Sequence, residues 1–247
     1  LRFRHDDGRE TSLSCRRLVH MAEPNLAAIE WVLTPLNWSD DIEIRSTLDG
    51  TVTNDGVERY RKLASAHLEV LATGEVDPAG VFLDVQTNQS HLRVALAARL
   101  RLYGLELSGD GDGHGATDWP QQRRREAGDR TVSETITTRA ERGQPLQVEK
   151  TVALFTCQEF AISEPCDSAI RAIELAGRFA ELRQGHIRAW ARLWNRANIG
   201  LSQENGREQL LLRLHIFHLL QVASPNIIDR DVGVPARGLH GEAYRGH

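Results

Sequence analysis

Near Ser163 the spacing of apolar residues changes from every second position to every third or fourth, so the chain must build sheet first and helix afterwards. Before that point, short runs rich in β-branched residues are separated by Gly, Asp, Asn and Pro. Residues 41–48 carry Ile42, Ile44 and Leu48 on one face, and residues 146–155 alternate in the same way. Residues 91–102 also read as a strand, although Leu92, Leu96, Arg99 and Leu100 fall near helical spacing too. Alternation of this kind requires one buried and one wet face, so residues 1–163 read as all-β. Between Ser108 and Asp129 the composition turns to Gly, Asp and Arg, ending in Arg123-Arg124-Arg125, and a long surface loop is expected.

Beyond Ser163 the pattern is helical. Ser163-Glu164-Pro165 offers a cap followed by a proline suited to a first turn. Ile170, Ile173, Leu175, Phe179 and Leu182 form one apolar stripe, continued by Ile187, Trp190, Leu193 and Trp194. Gly185 interrupts it, so two helices or one bent helix are expected over residues 164–200, as a helical linker. A further helix opens at Gly206. Its Leu210, Leu211, Leu212, Leu214, Ile216, Phe217, Leu219 and Leu220 leave little polar surface, as in a helix buried on most sides. Such a helix needs more neighbours than the sequence supplies, so this chain is expected to be part of a longer protein.

With 247 residues, 40% hydrophobic, the chain can form one large or two smaller cores. Its formal charge of -4 gives no basic excess for a phosphate backbone, which argues against nucleic acid as a partner. Crossing a bilayer takes about 20 apolar residues, and the run from Leu210 to Leu220 is interrupted by Arg213, His215 and His218, so no membrane span is expected. The opening Leu1-Arg2-Phe3-Arg4-His5 is neither a signal-peptide pattern nor a Met start, so residues are expected upstream. Cys15, Cys157 and Cys166 form an odd set without CxxC spacing, which fits small half-buried thiols in a reducing, cytoplasmic setting.

Most chemistry-bearing patterns have a plainer competitor. His215 and His218 are spaced for zinc but lack a third ligand, and read better as core or interface histidines. Asp110-Gly111-Asp112-Gly113-His114 resembles a calcium loop without its closing Glu, so no metal site is expected. Neither a Gly-x-Ser-x-Gly elbow nor a glycine-rich phosphate loop occurs. Trp31, Trp38, Trp119, Trp190 and Trp194 are compatible with a sugar-binding platform, as in a non-catalytic carbohydrate-binding module, or with core packing for Trp190 and Trp194.

The final segment, Gly233-Val234-Pro235-Ala236-Arg237-Gly238-Leu239-His240-Gly241-Glu242-Ala243-Tyr244-Arg245-Gly246-His247, resembles the motif that opens the catalytic barrel of glycoside hydrolase family 65. Residues 16–22, 33–39 and 48–54 resemble that family's N-terminal sandwich. The resemblance implies a large antiparallel β-sandwich over residues 1–163, a helical linker over 164–200, and over 201–247 the first helix and motif loop of an (α/α)6 barrel. It also implies an intact enzyme that cleaves an α-linked glucose disaccharide of maltose, trehalose or kojibiose type, with no metal or organic cofactor.

Inorganic phosphate would be the co-substrate. As an anionic nucleophile it removes the need for a base to activate water, so one carboxylic acid suffices, whereas a trehalase-type hydrolase needs both. The family's general-acid Glu lies downstream of His247, so the resemblance places no catalytic residue in this chain. Tyr244 and His247 are candidates for lining the glucose site, because aromatic and imidazole groups stack on or hydrogen-bond to sugars. Glu242 sits in a glycine-bracketed turn, where it can reach a pocket rim or brace the loop by accepting backbone N–H groups. Family members commonly form homodimers, so a dimer is compatible with the full-length protein.

Overall fold

The computed structural model describes residues 1–53, 65–76, 78, 80–104, 117–159, 162–201 and 206–223. Its strands are β1 (Arg2–Arg4), β2 (Glu10–Val19), β3 (Leu26–Pro35), β4 (Asp40–Asp49), β5 (Leu68–Glu75), β6 (Val81–Thr87), β7 (Arg93–Gly104), β8 (Thr117–Asp118), β9 (Gln122–Ala127), β10 (Thr131–Ala140) and β11 (Leu146–Thr156). Helices α1 (Pro165–Leu175), α2 (Phe179–Ala197) and α3 (Gly206–Val222) follow. The chain divides into two compact units, Leu1–Arg183 and Gln184–His247.

The first unit is a β-sandwich. One sheet runs β1-β2-β3-β11-β7-β6-β5, with β8 added beside β7, and the other runs β4-β10-β9. Every pairing is antiparallel, which matches alternating rather than continuously apolar strands. Strand β7 shows how the alternation is used. Ala98, Leu100 and Leu102 face the small sheet and meet Leu48, Val132 and Ile136, forming the core between the layers. Ala95 and Ala97 point the other way, and with Ala153 they pack on Ala169 and Ile173 of α1. These small side chains let the helix backbone come close to the sheet. The ambiguous run at 91–102 is thus a strand with both faces buried.

The first residues of α2 lie on the same outer face, where Phe179 and Leu182 pack on Ala28. Between the two helices Ala176, Gly177 and Arg178 break the helix, whereas Gly185 lies inside α2. The break therefore differs from the one expected at Gly185. Its cause is tertiary: Arg99 and Arg101 donate to the carbonyls of Ala176 and Gly177, and Glu149 accepts the Phe179 N–H at 3.0 Å. Cationic groups at the end of α1 are favourably placed for its unpaired carbonyls. The cap of α1 is Glu164, one residue later than Ser163, with Pro165 as the first helical residue.

The expected loop over 108–129 is also corrected, because residues 122–127 form β9. Arg123 and Arg125 point inward and Arg124 outward, so an alternating strand is hidden under a uniformly charged sequence. Beyond Ala98, strand β7 has no β6 neighbour, which leaves the Leu100 amide and carbonyl without a ladder partner on that side. Glu134 of β10 accepts the Leu100 N–H at 3.1 Å, and Arg123 donates to the Leu100 carbonyl at 3.0 Å while pairing with Glu134. The buried ion pair takes the place of a missing strand, satisfying backbone groups that would otherwise be orphaned.

In the second unit, Trp190 of α2 meets Phe217 of α3 with ring centroids 5.0 Å apart, and Trp194 stands 6.5 Å from Trp190. Leu210, Leu211, Leu214 and Leu219 of α3 are exposed. Among the described residues of this unit, the aromatic contact from α2 covers one side of a helix that is apolar nearly all round. No described helix is long and apolar enough to cross a membrane.

Candidate functional site

The small sheet does not cover the β1-β2-β3 end of the large one, and there the sandwich opens into a cleft of about 470 Å³. Its floor follows from strand register. Phe3 pairs with Thr11 and Thr11 with Pro35, Leu13 pairs with Leu33 and Leu33 with Leu146, and Cys15 pairs with Trp31 and Trp31 with Val148. Odd-numbered positions on β2 and β3 thus share one face, and the floor is apolar and aromatic. Ile42 and Ile44 of β4 line the other wall, with Glu43 and Arg45 beside them.

The β1–β2 turn contributes His5, Asp7 and Arg9. Gly8 holds φ at +83° there, a conformation suited to glycine, and the turn closes with Gly8 N–H donating to the His5 carbonyl. Asn37 donates to the Gly8 carbonyl and accepts the Glu10 N–H, fixing the segment that presents Trp38. The Trp38 Nε1–H donates to the Glu10 carbonyl and the Thr11 hydroxyl at 3.1 Å. Arg9 lies 5.7 Å from the Trp38 ring centroid and pairs with Asp7 at 2.9 Å and Asp40 at 2.8 Å. Trp31 donates its Nε1–H to Cys15 Sγ at 3.2 Å. Both indole N–H groups are consumed by the protein, so the rings are held by their edges.

Ionised pairs also mark this edge of the sheet, Arg2, Arg4 and Glu10 on the face away from the cleft and Asp40 beside Arg9. Hydrogen bonds from Arg2 and Arg4 hold the Glu10 carboxyl below its ordinary range. The Arg9 hydrogen bond, aided by the Asp41 N–H, does the same for Asp40. Fixed rings beside ionised groups suit binding.

A second cluster of carboxylates lies on the outer face of the large sheet. Glu30 Oε1 accepts from Arg16 at 2.7 Å and its Oε2 accepts from Gln147 at 2.7 Å. Glu149 Oε1 accepts from Gln147 and from Arg178, both at 3.0 Å, and its Oε2 takes the Phe179 N–H. Both carboxylates are buried, and all four oxygens are occupied by the protein itself. Arg178 also lies 3.8 Å from the Tyr103 ring centroid. This cluster braces the start of α2 against the sheet.

Glu242, Tyr244 and His247, the candidates for lining the sugar site, lie outside the described residues, as do residues 110–114. His215 and His218 fall on α3, and no group of three or more metal-ligating side chains occurs among the described residues. Cys15 and Cys157 are exposed rather than half-buried, because Cys15 lies on the open cleft face and Cys157 in the turn after β11. Cys166, in the first turn of α1, is half-buried, and burial, with Asp84 and Asp167 nearby, pushes its thiol up to about 11. Of the grouped tryptophans, Trp31 and Trp38 converge on the cleft, while Trp190 and Trp194 pack within the second unit. Sequence reasoning did not find Phe3, His5 or Arg9. The signal for them was Asp7-Gly8, a hairpin dipeptide between two alternating runs.

A long antiparallel sandwich with α1 and the start of α2 on its outer face and a cleft at one end defines an all-β domain of the sandwich class. The model for the glycosyl hydrolase family 65 N-terminal domain matches residues 1–193, and the chain belongs to that family. It is similar to an uncharacterized glycosyl hydrolase of Mycobacterium tuberculosis, 42% identical over 247 residues, covering 100% of this chain and 18% of that protein. A kojibiose phosphorylase of Caldanaerobacter subterraneus is 28% identical over 98% of this chain and 30% of its own length. A trehalose 6-phosphate phosphorylase of Lactococcus lactis is 26% identical over 85% of the chain and 25% of its own length. The chain therefore spans less than a third of the length of these relatives. A solved structure described as a candidate kojibiose phosphorylase from the human microbiome shares the fold, with a TM-score of 0.68 at 15% identity over 96% of this chain and 28% of that one.

Proposed function

We propose that this chain is the sandwich end of a longer enzyme that cleaves an α-linked glucose disaccharide with inorganic phosphate, inverting the anomeric centre to give β-glucose 1-phosphate. The observation that carries the reading is that relatives named kojibiose phosphorylase match 97–98% of this chain, from the sandwich through all three helices. Such an enzyme needs a carboxylic acid to protonate the departing oxygen and donors to hold phosphate in line with the bond. Neither of the buried carboxylates Glu30 and Glu149 has an oxygen to spare for that work. The general acid belongs downstream of His247, and Glu242, Tyr244 and His247 belong to the approach to the glucose site. A helical barrel receives the exposed leucines of α3.

The full-length enzyme, incubated with kojibiose, trehalose or maltose, is expected to release glucose only when phosphate is supplied. Equal release without phosphate would assign it to trehalase-type hydrolysis. The 247-residue chain alone is expected to turn over none of the three sugars.

A further inference from the structure

We propose that the cleft at the open end of the sandwich is a non-catalytic binding site for a glucan chain, longer than the disaccharide cleaved elsewhere in the protein. Trp31 and Phe3 are 42% and 44% exposed, unusual for large aromatic residues on the inward face of a sandwich. The Trp31 N–H is already bonded to Cys15, so what the ring offers a ligand is its apolar face. Sugars present C–H groups on their ring faces and hydroxyls around their edges. A ring platform flanked by Asp7 and Arg9 of the β1–β2 turn meets both demands, since the carboxylate accepts and the guanidinium donates.

An apolar ligand would cover these ionised groups without replacing the water on them, which disfavours it against a ligand that carries hydroxyls. The volume of about 470 Å³ lies in the range of small-ligand sites. Register sets the length. Phe3 is in line with Pro35, four residues along β3 from Trp31 and two strands away, which at ordinary strand dimensions is roughly 13 Å along and 10 Å across. A ligand touching both rings must span several sugar units.

The choice of an α-linked glucan rests on the proposed activity, while the site itself rests on the cleft. Calorimetric titration of the 247-residue chain with maltoheptaose tests it separately from any turnover assay. Saturable binding is expected, weakened at least tenfold by Trp31→Ala and by Phe3→Ala and unchanged by Trp194→Ala in the other unit. Both cleft residues are exposed, so far-UV circular dichroism and Tm should stay at the parent values. If Trp31→Ala alters folding, Phe3→Ala on the edge strand still decides the matter. Absence of binding heat with maltoheptaose, or undiminished binding in both cleft variants, would overturn the proposal whatever the full-length enzyme does with phosphate.

Discussion

Replacing Glu134 by alanine tests whether a buried ion pair stands in for a missing strand beside β7. The Glu134 side chain is 1% exposed and that of its partner Arg123 is 19% exposed, so neither end of the pair is well solvated. Truncation removes the acceptor of the Leu100 N–H, at about 1–3 kcal/mol for a buried amide left unpaired. It also strands the Arg123 guanidinium, and breaking a buried pair from one side costs about 3–5 kcal/mol in all. For a chain of this size that corresponds to a fall in Tm of roughly 6–20 °C. Arg124→Ala provides the contrast: its side chain is 66% exposed on the same strand, and a change within about 0.5 kcal/mol is expected. Thermal melts and urea titrations of Glu134→Ala, Arg123→Ala and the double variant yield the coupling. A loss under about 1 kcal/mol in Glu134→Ala, or an equal loss in Arg124→Ala, would refute the reasoning.

Glu149→Ala removes the acceptor of the Phe179 N–H and the partner of Arg178, at about 3 kcal/mol, and hydrogen exchange should speed up at residues 178–182 before it does in the sandwich strands. Since Arg2 and Arg4 lower the Glu10 carboxyl, their contribution is present above the unfolded value and is lost as pH falls through the folded one, so exchange at Phe3 should accelerate in acid below that value. Thiol titration at pH 8 should modify Cys15 and Cys157 quickly and Cys166 only after unfolding. Because the Cys166 pKa is raised to about 11, its contribution to stability is present below the unfolded value and declines as pH rises towards 11.

The strands with simple alternation, residues 41–48 and 146–155, were legible because each has one face on the core, and a period of two reports that directly. Strand β9 was not. Its inward positions are arginines, whose partners Glu134 and Leu100 lie on other strands, so nothing within the segment distinguishes it from a charged loop. The helix break was misread for a similar reason. Gly185 is the local signal, but the interruption at 176–178 is held by Arg99, Arg101 and Glu149 from the sheet. In the cleft, the tryptophans were visible as residues, while their meeting with Phe3 and Arg9 depends on which strands pair.

The central functional claim is phosphorolysis by the full-length protein, and phosphorus NMR of its reaction with kojibiose, trehalose and maltose in phosphate buffer measures that directly. The expected result is a growing β-glucose 1-phosphate signal matched mole for mole by free glucose or acceptor sugar, with no reaction when phosphate is replaced by another buffer. Sugar cleavage at the same rate without phosphate, or an α-configured phosphate ester as product, would contradict it.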